Sequence, residues 1–175
     1  MIGSRRKFLL AGIAAGVPCC LPFGWQAFAG STQAAASVDA DRVAIQGYDT
    51  VAYFTNRKPT KDNPEFESEW LGAKWRFATA EHRDLFASRP DTYAPRFGGF
   101  CAMGMTTGGK YTPDPEAWAV VDGKLCLNSG KATRAEWQKD ASGNTRKAEE
   151  QWKVLNQQAS LLAGAKFIDF TKRYV

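Results

Sequence analysis

The stretch that decides the fold is EFESEW at residues 65–70, followed by LG at 71–72 and KWRF at 74–77. In both arms apolar side chains alternate with charged ones, which is typical of strands with one buried face. The intervening pair at 71–72 has the length of a tight turn. We therefore predict an antiparallel β-hairpin whose solvent face pairs glutamates with Lys and Arg across the strands.

A second hairpin is predicted further along the chain. The runs AWAVV at 117–121 and KLCL at 124–127 flank Asp122-Gly123, a strong signal for a two-residue turn. Alternation places Cys126 beside Ala119 on one face. Four larger apolar side chains lie on the other face: Trp118, Val120, Leu125 and Leu127.

Helices are predicted around these hairpins. Asp49 caps a short helix, and Thr79 has the side chain of an N-cap for a helix over residues 80–88. A longer helix begins near Asn144 and carries Ala148, Trp152 and Leu155 on one face. The predicted class is α+β, with small antiparallel hairpins packed against short helices and with helices at the C-terminal end.

The N-terminus predicts export. Residues 4–10 read SRRKFLL, and an apolar run to Phe23 follows, interrupted by glycines and a proline. Adjacent arginines before such a run are typical of a twin-arginine signal peptide. The run is weak for a membrane span, which needs about 20 apolar residues. We place the cut after Ala29, with a competing cut within 34–36 and an uncleaved anchor as alternatives, and we expect a periplasmic protein without a stable membrane span.

The remaining chain is expected to form one domain. Residues 30–42 are predicted to be a flexible lead, 43–156 the domain with its C-terminal extension, and 157–175 a tail. Three of the 23 Lys and Arg residues lie in the signal peptide, so its removal lowers the net charge from +5 to +2. Because basic residues are not interleaved with aromatic ones either, no nucleic acid partner is expected.

The first hairpin also carries a family resemblance. GAKWRFAT at 72–79, Phe86 and PDTY at 90–93 resemble the YHS domain, a small treble-clef-like unit. GGFC at 98–101, DGKL at 122–125 and Asn128 look like its exported bacterial branch, so the resemblance spans roughly residues 43–156.

Metal binding is implied for some members of that family. Those fused to copper-transporting ATPases are thought to hold metal through three cysteines. Carried over to this chain, the three positions fall near Val51 or Ala52, on Ala78 and on His82. Only His82 carries a donor, so the family's usual site is absent here.

A different metal site is suggested by sulfur. Cys101, Met103 and Met105 occur at i, i+2 and i+4 and would share one face of an extended segment, with His82 or Cys126 completing the set. Thiolate and thioether donors suit Cu(I), whereas zinc rarely uses methionine. A two-histidine blue-copper centre is excluded because His82 is the one histidine. We therefore predict a copper site at these residues.

Alternatives remain open. Cys101 and Cys126 could instead form a disulfide, closing a loop of about 25 residues worth about 3 kcal/mol. The methionines could be gap fillers in the core, and His82 a residue at its edge. A Cys/His nucleophile pair lacks a local signature, which argues against an enzyme without settling the question. The leading hypothesis is a copper-binding exported domain. The alternative is a non-metal interaction or small-ligand module with structural cysteines.

Overall fold

The computed structural model describes residues 36–163, with side chains up to residue 158. Within this range the strands form two separate antiparallel hairpins. The strands are β1 (Asn63–Trp70), β2 (Ala73–Phe77), β3 (Asp114–Val121) and β4 (Lys124–Asn128). The helices are α1 (Ala52–Thr55), α2 (Ala80–Ser88), α3 (Pro90–Tyr93), α4 (Ala102–Met105), α5 (Lys131–Gln138) and α6 (Ala141–Ala163). The predicted α+β class, with its C-terminal helices, is confirmed.

The first hairpin has the predicted pairing. Glu67 lies opposite Arg76, and the Arg76 Nε donates to Glu67 Oε2 at 2.9 Å on the solvent face. Trp75 and Phe77 point the other way and are 2% and 0% exposed. The alternation of the sequence therefore sorts charged and apolar side chains onto opposite faces, as a strand geometry requires.

A first core forms where this hairpin packs on α1 and α2. Phe86 of α2 lies with its ring centroid 5.2 Å from that of Trp75 and 5.1 Å from that of Phe77. The buried members of this core come from most of the chain: Ala36, Ala44, Ile45, Val51, Tyr53, Ala73, Trp75, Phe77, Phe86, Tyr93, Ala94, Leu125 and Leu127. Aromatic rings supply much of the apolar area removed from water there.

A second core lies on the other side of β4. Its buried members are Phe97, Ala102, Met105, Cys126, Trp137, Ala148 and Trp152. Since neighbouring side chains of a strand point to opposite faces, Leu125 and Leu127 enter the first core while Cys126 enters the second. The predicted faces of β4 are therefore confirmed, although Val120 on β3 is 39% exposed.

The ends of the domain extend beyond the predicted boundaries. Within the predicted lead, Ala36 is 3% exposed and the Ser37 N–H donates to the Gly98 carbonyl at 2.8 Å, so the domain begins at least at Ala36. At the other end α6 crosses the predicted boundary at 156 and continues to Ala163. The predicted signal peptide at 1–29, its predicted cut and residues 164–175 lie outside the described residues.

The length and hydropathy of the described helices bear on whether they could cross a membrane. Between residues 36 and 163, no helix is both long enough and apolar enough to cross a bilayer.

Candidate functional site

The four predicted sulfur donors surround or adjoin α4. We call Cys101, Met103, Met105 and Cys126 the α4 sulfurs. Cys101 is the N-cap of α4 and the two methionines belong to that helix, so the segment is helical and the predicted extended arrangement is wrong. The physical reason is local, because the Met105 N–H donates to the Cys101 carbonyl at 2.9 Å and closes a helical turn.

The backbone segment that leads into α4 depends on two glycines. Gly98 and Gly99 have φ of 60° and 83°, in the left-handed region that glycine adopts without strain. A Cβ on Gly99 would lie 3.2 Å from Ile45 Cγ1 and 3.3 Å from Pro95 Cγ, tighter than ordinary packing. These glycines therefore let the backbone turn close to the first core and deliver Cys101 to the end of β4, where it bridges Leu127.

Cys101 lies just below the surface in a polar setting. It is 1% exposed, and its Sγ accepts from the Gly104 N–H at 3.4 Å. The same sulfur is 3.8 Å from Asn128 Oδ1 and 3.6 Å from the hydroxyl of Ser129, an exposed residue. Cys101 is therefore buried, with the exposed Ser129 as one of its polar neighbours.

Asn128 organises this corner of the structure. Its Oδ1 accepts from the Met103 N–H at 3.1 Å, while its Nδ2 is buried without a hydrogen-bond partner among the described residues. Buried amide donors are usually satisfied, so this one is a cost to the fold. The Cys101 sulfur lies against Oδ1, which is an acceptor, so the thiol is the donor of that contact.

Met105 and Cys126 are deeper than Cys101. Both are 0% exposed and belong to the second core, and Met103 packs at its edge. Burial raises the pKa of the Cys126 thiol from an ordinary value of 9.0 to about 12, with nearby Arg96 opposing the shift. Cys126 is therefore a neutral thiol across the physiological range.

The disulfide alternative differs from what the structure contains. Cys101 and Cys126 are both free thiols. They occupy different surroundings, since Cys101 faces Asn128 and Ser129 whereas Cys126 packs among apolar side chains. The cross-link considered from the sequence is thus not formed here.

His82 is engaged by other partners. Its Nδ1 is 2.6 Å from Asp49 Oδ2, and its Nε2 is 3.2 Å from Thr55 Oγ1. The ring is nearly buried, with 10% of the side chain exposed. Because both ring nitrogens have hydrogen-bond partners, His82 has no free nitrogen to offer a metal in this arrangement.

Asp49 is the centre of that second group. Its Oδ1 accepts from the Val51 and Ala52 N–H groups at 2.9 and 3.1 Å, so it pairs the first N–H groups of α1 although Val51, and not Asp49 as predicted, is the N-cap. Its Oδ2 accepts from the Ala78 N–H at 2.9 Å in addition to His82. One fully buried carboxylate therefore ties α1, the end of β2 and α2 together.

Sequence reasoning missed two functional contacts. The bond from Asp49 to His82 spans 33 residues, and the contact between Cys101 and Asn128 spans 27. The local signal at Asp49 was that of a cap, and nothing local indicates its second role. Asn128 is the polar last residue of an otherwise apolar strand end, which is a sequence signal that could have indicated a buried polar contact.

Comparisons with known proteins leave this site without a precedent. No family model matches the chain, and no curated protein or solved structure was found to be similar to it. In the part of the chain that the structure describes, no group of three or more His, Cys, Asp and Glu side chains is placed to hold a metal ion. This absence concerns those four residue types and does not include methionine thioethers.

Proposed function

We propose that this chain is an exported domain of the YHS type that binds Cu(I) through the α4 sulfurs. The observation that carries the proposal is the free Cys101 thiol, which lies under Ser129 at the start of a helix bearing Met103 and Met105. A thiol and thioethers are soft donors, and Cu(I) is the common biological metal that prefers them.

The α4 sulfurs are not equally suited to hold a Cu(I) ion. Cys101 is the primary donor, because its deprotonated thiol would supply a negatively charged soft ligand, whereas methionine supplies a neutral one. Met103 is partly buried at the edge of the second core and is the nearest thioether in sequence. When bound, Cu(I) would supply a charge that favours the deprotonated form of Cys101.

The deeper sulfurs have a secondary part. Met105 and Cys126 are fully buried, and the raised pKa of Cys126 opposes its ionisation. Their use by a metal would require the second core to open around α4. His82 is left out of the proposed donor set, since Asp49 and Thr55 already hold its ring.

The test is a Cu(I) titration of the metal-free protein without oxygen, against a chromophoric Cu(I) chelator. The wild type is expected to take one equivalent from the chelator. Cys101→Ser is expected to lose at least about 100-fold in affinity, the upper end of what loss of a supporting partner alone costs at metal sites. Met103→Leu, which keeps the volume, is expected to weaken binding by about tenfold or more.

His82→Gln serves as the matched control, because it removes the one imidazole without touching the α4 sulfurs. It is expected to bind Cu(I) like the wild type. Failure of the wild type to compete for Cu(I) at micromolar concentration would overturn the proposal. That outcome would favour the alternative, a non-metal interaction or small-ligand module whose cysteines serve packing.

Export is proposed from the N-terminal sequence and has its own test. Arg5→Lys together with Arg6→Lys preserves the charge but removes the twin-arginine pair. The double variant is expected to accumulate as precursor in the cytoplasm. Cell fractionation and immunoblotting measure where the protein is and whether it has been processed. Unchanged processing and periplasmic recovery of the double variant would contradict this route of export.

A further inference from the structure

A small cleft lies on the side of the molecule formed by α1 and β3. It has a volume of about 170 Å³ and is lined by Tyr53, Phe54, Arg57, Trp118 and Val120. None of these residues belongs to the α4 sulfurs or contacts them through any hydrogen bond described above. Its wall is three aromatic rings and one aliphatic side chain, with a single cationic group.

The aromatic wall is held in place by contacts behind it. The ring of Tyr53 packs edge-on against Trp118 at 5.2 Å between centroids, and Phe54 packs edge-on against Tyr93 at 5.5 Å. The Tyr53 hydroxyl donates to the Pro115 carbonyl at 3.0 Å. The cleft is therefore formed before any ligand arrives, which lowers the ordering cost of binding.

Two properties of Arg57 bear on the cleft. Its φ is 53°, in the left-handed region that residues with a side chain rarely adopt. It is exposed, and within residues 36–158 its guanidinium has no hydrogen-bond or ion-pair partner. Its position directly after the C-cap of α1 accounts for this φ, and the lack of a partner leaves the guanidinium available to a ligand in the cleft.

We propose that the cleft binds a small molecule with one aromatic ring and one carboxylate. The ring would lie against the aromatic wall, and the carboxylate would pair with the Arg57 guanidinium, whose fork matches a carboxylate geometrically. The volume of about 170 Å³ is below the range of about 300–1,000 Å³ for drug-sized ligands, so a single ring is the fitting size.

Acidic residues near the cleft oppose the binding of a ligand carboxylate. Burial raises the pKa of Tyr53, and Tyr48 and the negative charges of Glu116 and Asp114 add to that effect at its hydroxyl, which lies behind the cleft wall. Arg57 is the cationic residue of the lining, so the ligand carboxylate would pair with it. Removing the charge of Glu116 is expected to strengthen binding of an anion.

The experiment measures binding of phenylacetate to the metal-free mature protein by ligand-detected NMR and calorimetry. Benzyl alcohol and acetate serve as probes that keep only the ring or only the charge. Phenylacetate is expected to bind at least about tenfold more tightly than either. Arg57→Gln is expected to reduce phenylacetate affinity to that of benzyl alcohol, and Glu116→Gln to increase it by a few fold.

Arg83→Gln is the matched control, since it removes an arginine of α2 that pairs with its neighbour Asp84. It should leave phenylacetate binding unchanged, as should Cys101→Ser, which separates this proposal from copper binding. Equal binding of phenylacetate and benzyl alcohol, an unaffected Arg57→Gln variant, or no binding of phenylacetate would each overturn the proposal.

Discussion

At the scale of single residues, Asp49 has the largest structural role. Its two carboxylate oxygens accept four hydrogen bonds, three from backbone N–H groups and one from the His82 ring, and the residue is 0% exposed. Hydrogen bonds to a buried charged group are stronger than neutral ones, and their donors become unpaired when the acceptor is lost.

Asp49→Asn is therefore expected to destabilise the domain by about 3 kcal/mol. The amide keeps Oδ1 as an acceptor, but its NH₂ would face the Ala78 N–H, which is a donor, and would replace the carboxylate oxygen beside His82 Nδ1. Urea denaturation of both proteins measures the difference. Asp84→Asn, at an exposed carboxylate, should change stability by less than about 0.5 kcal/mol. An equally small effect of Asp49→Asn would contradict the role given to it.

Cys126 predicts how stability changes with pH. Its pKa is about 12 in the folded state and near 9.0 when the chain unfolds and the thiol meets water. Between these values the folded state holds a proton that the unfolded state releases, so stability falls as pH rises from 9 toward 12. The slope from this one group reaches about 1.4 kcal/mol per pH unit.

Cys126→Ala should flatten that decline. Urea midpoints measured near neutral pH and at steps above pH 9 give the slope for both proteins. The substitution lowers stability at every pH by removing packed volume, so the slopes and not the absolute values are compared. Parallel pH profiles for the two proteins would show that the buried thiol does not contribute.

At the scale of elements, the two hairpins are closed by turns of the same kind. Leu71 and Gly72 have φ of 49° and 72°, and Asp122 and Gly123 have φ of 51° and 70°. Both central residues of a type I′ turn need positive φ, which favours Asn or Asp followed by Gly. The second turn has that sequence, whereas the first carries leucine at a position where it is strained.

Substituting the first central residue of each turn tests whether leucine at this position is strained. Leu71→Asn is expected to stabilise the domain by about 0.5–1 kcal/mol, and Asp122→Leu to destabilise it by a similar amount. Thermal and urea unfolding of the two variants provide the values. The signs are the decisive result, and a destabilised Leu71→Asn variant would mean that leucine packing outweighs turn strain.

The hairpins also show which parts of the fold are predictable. Alternation over EFESEW and KWRF, and the Asp122-Gly123 turn, are local signals, and pairing follows from them with little help from the rest of the chain. Helix α4 is different. Three of its four residues, Ala102, Met103 and Met105, favour helix, but Gly104 and the shortness of the segment leave no helical period to detect, and the extended prediction was wrong.

At the scale of the whole molecule, β4 joins two cores into one unit. Leu125 and Leu127 fill the first core, while Cys126 between them fills the second. Such sharing follows from strand alternation and could be predicted from the sequence. Which polar side chains meet across the cores could not, since the partners of His82 and of Cys101 are fixed by long-range packing.

This arrangement also limits where a metal could bind. His82 is tied to Asp49 beside the first core, while the α4 sulfurs lie in or at the edge of the second. The sequence grouped His82 with the sulfurs because it was the one available imidazole. In the structure the His82 ring is held by Asp49 and Thr55, so the proposed Cu(I) site is made of sulfur donors only.

X-ray absorption at the copper edge of the mature protein loaded with one equivalent of Cu(I) tests this claim most directly. We expect sulfur scatterers around the copper without the multiple scattering of an imidazole ring, and the same spectrum for His82→Gln. A shell containing an imidazole nitrogen, or copper that washes off the protein before the measurement, would contradict it.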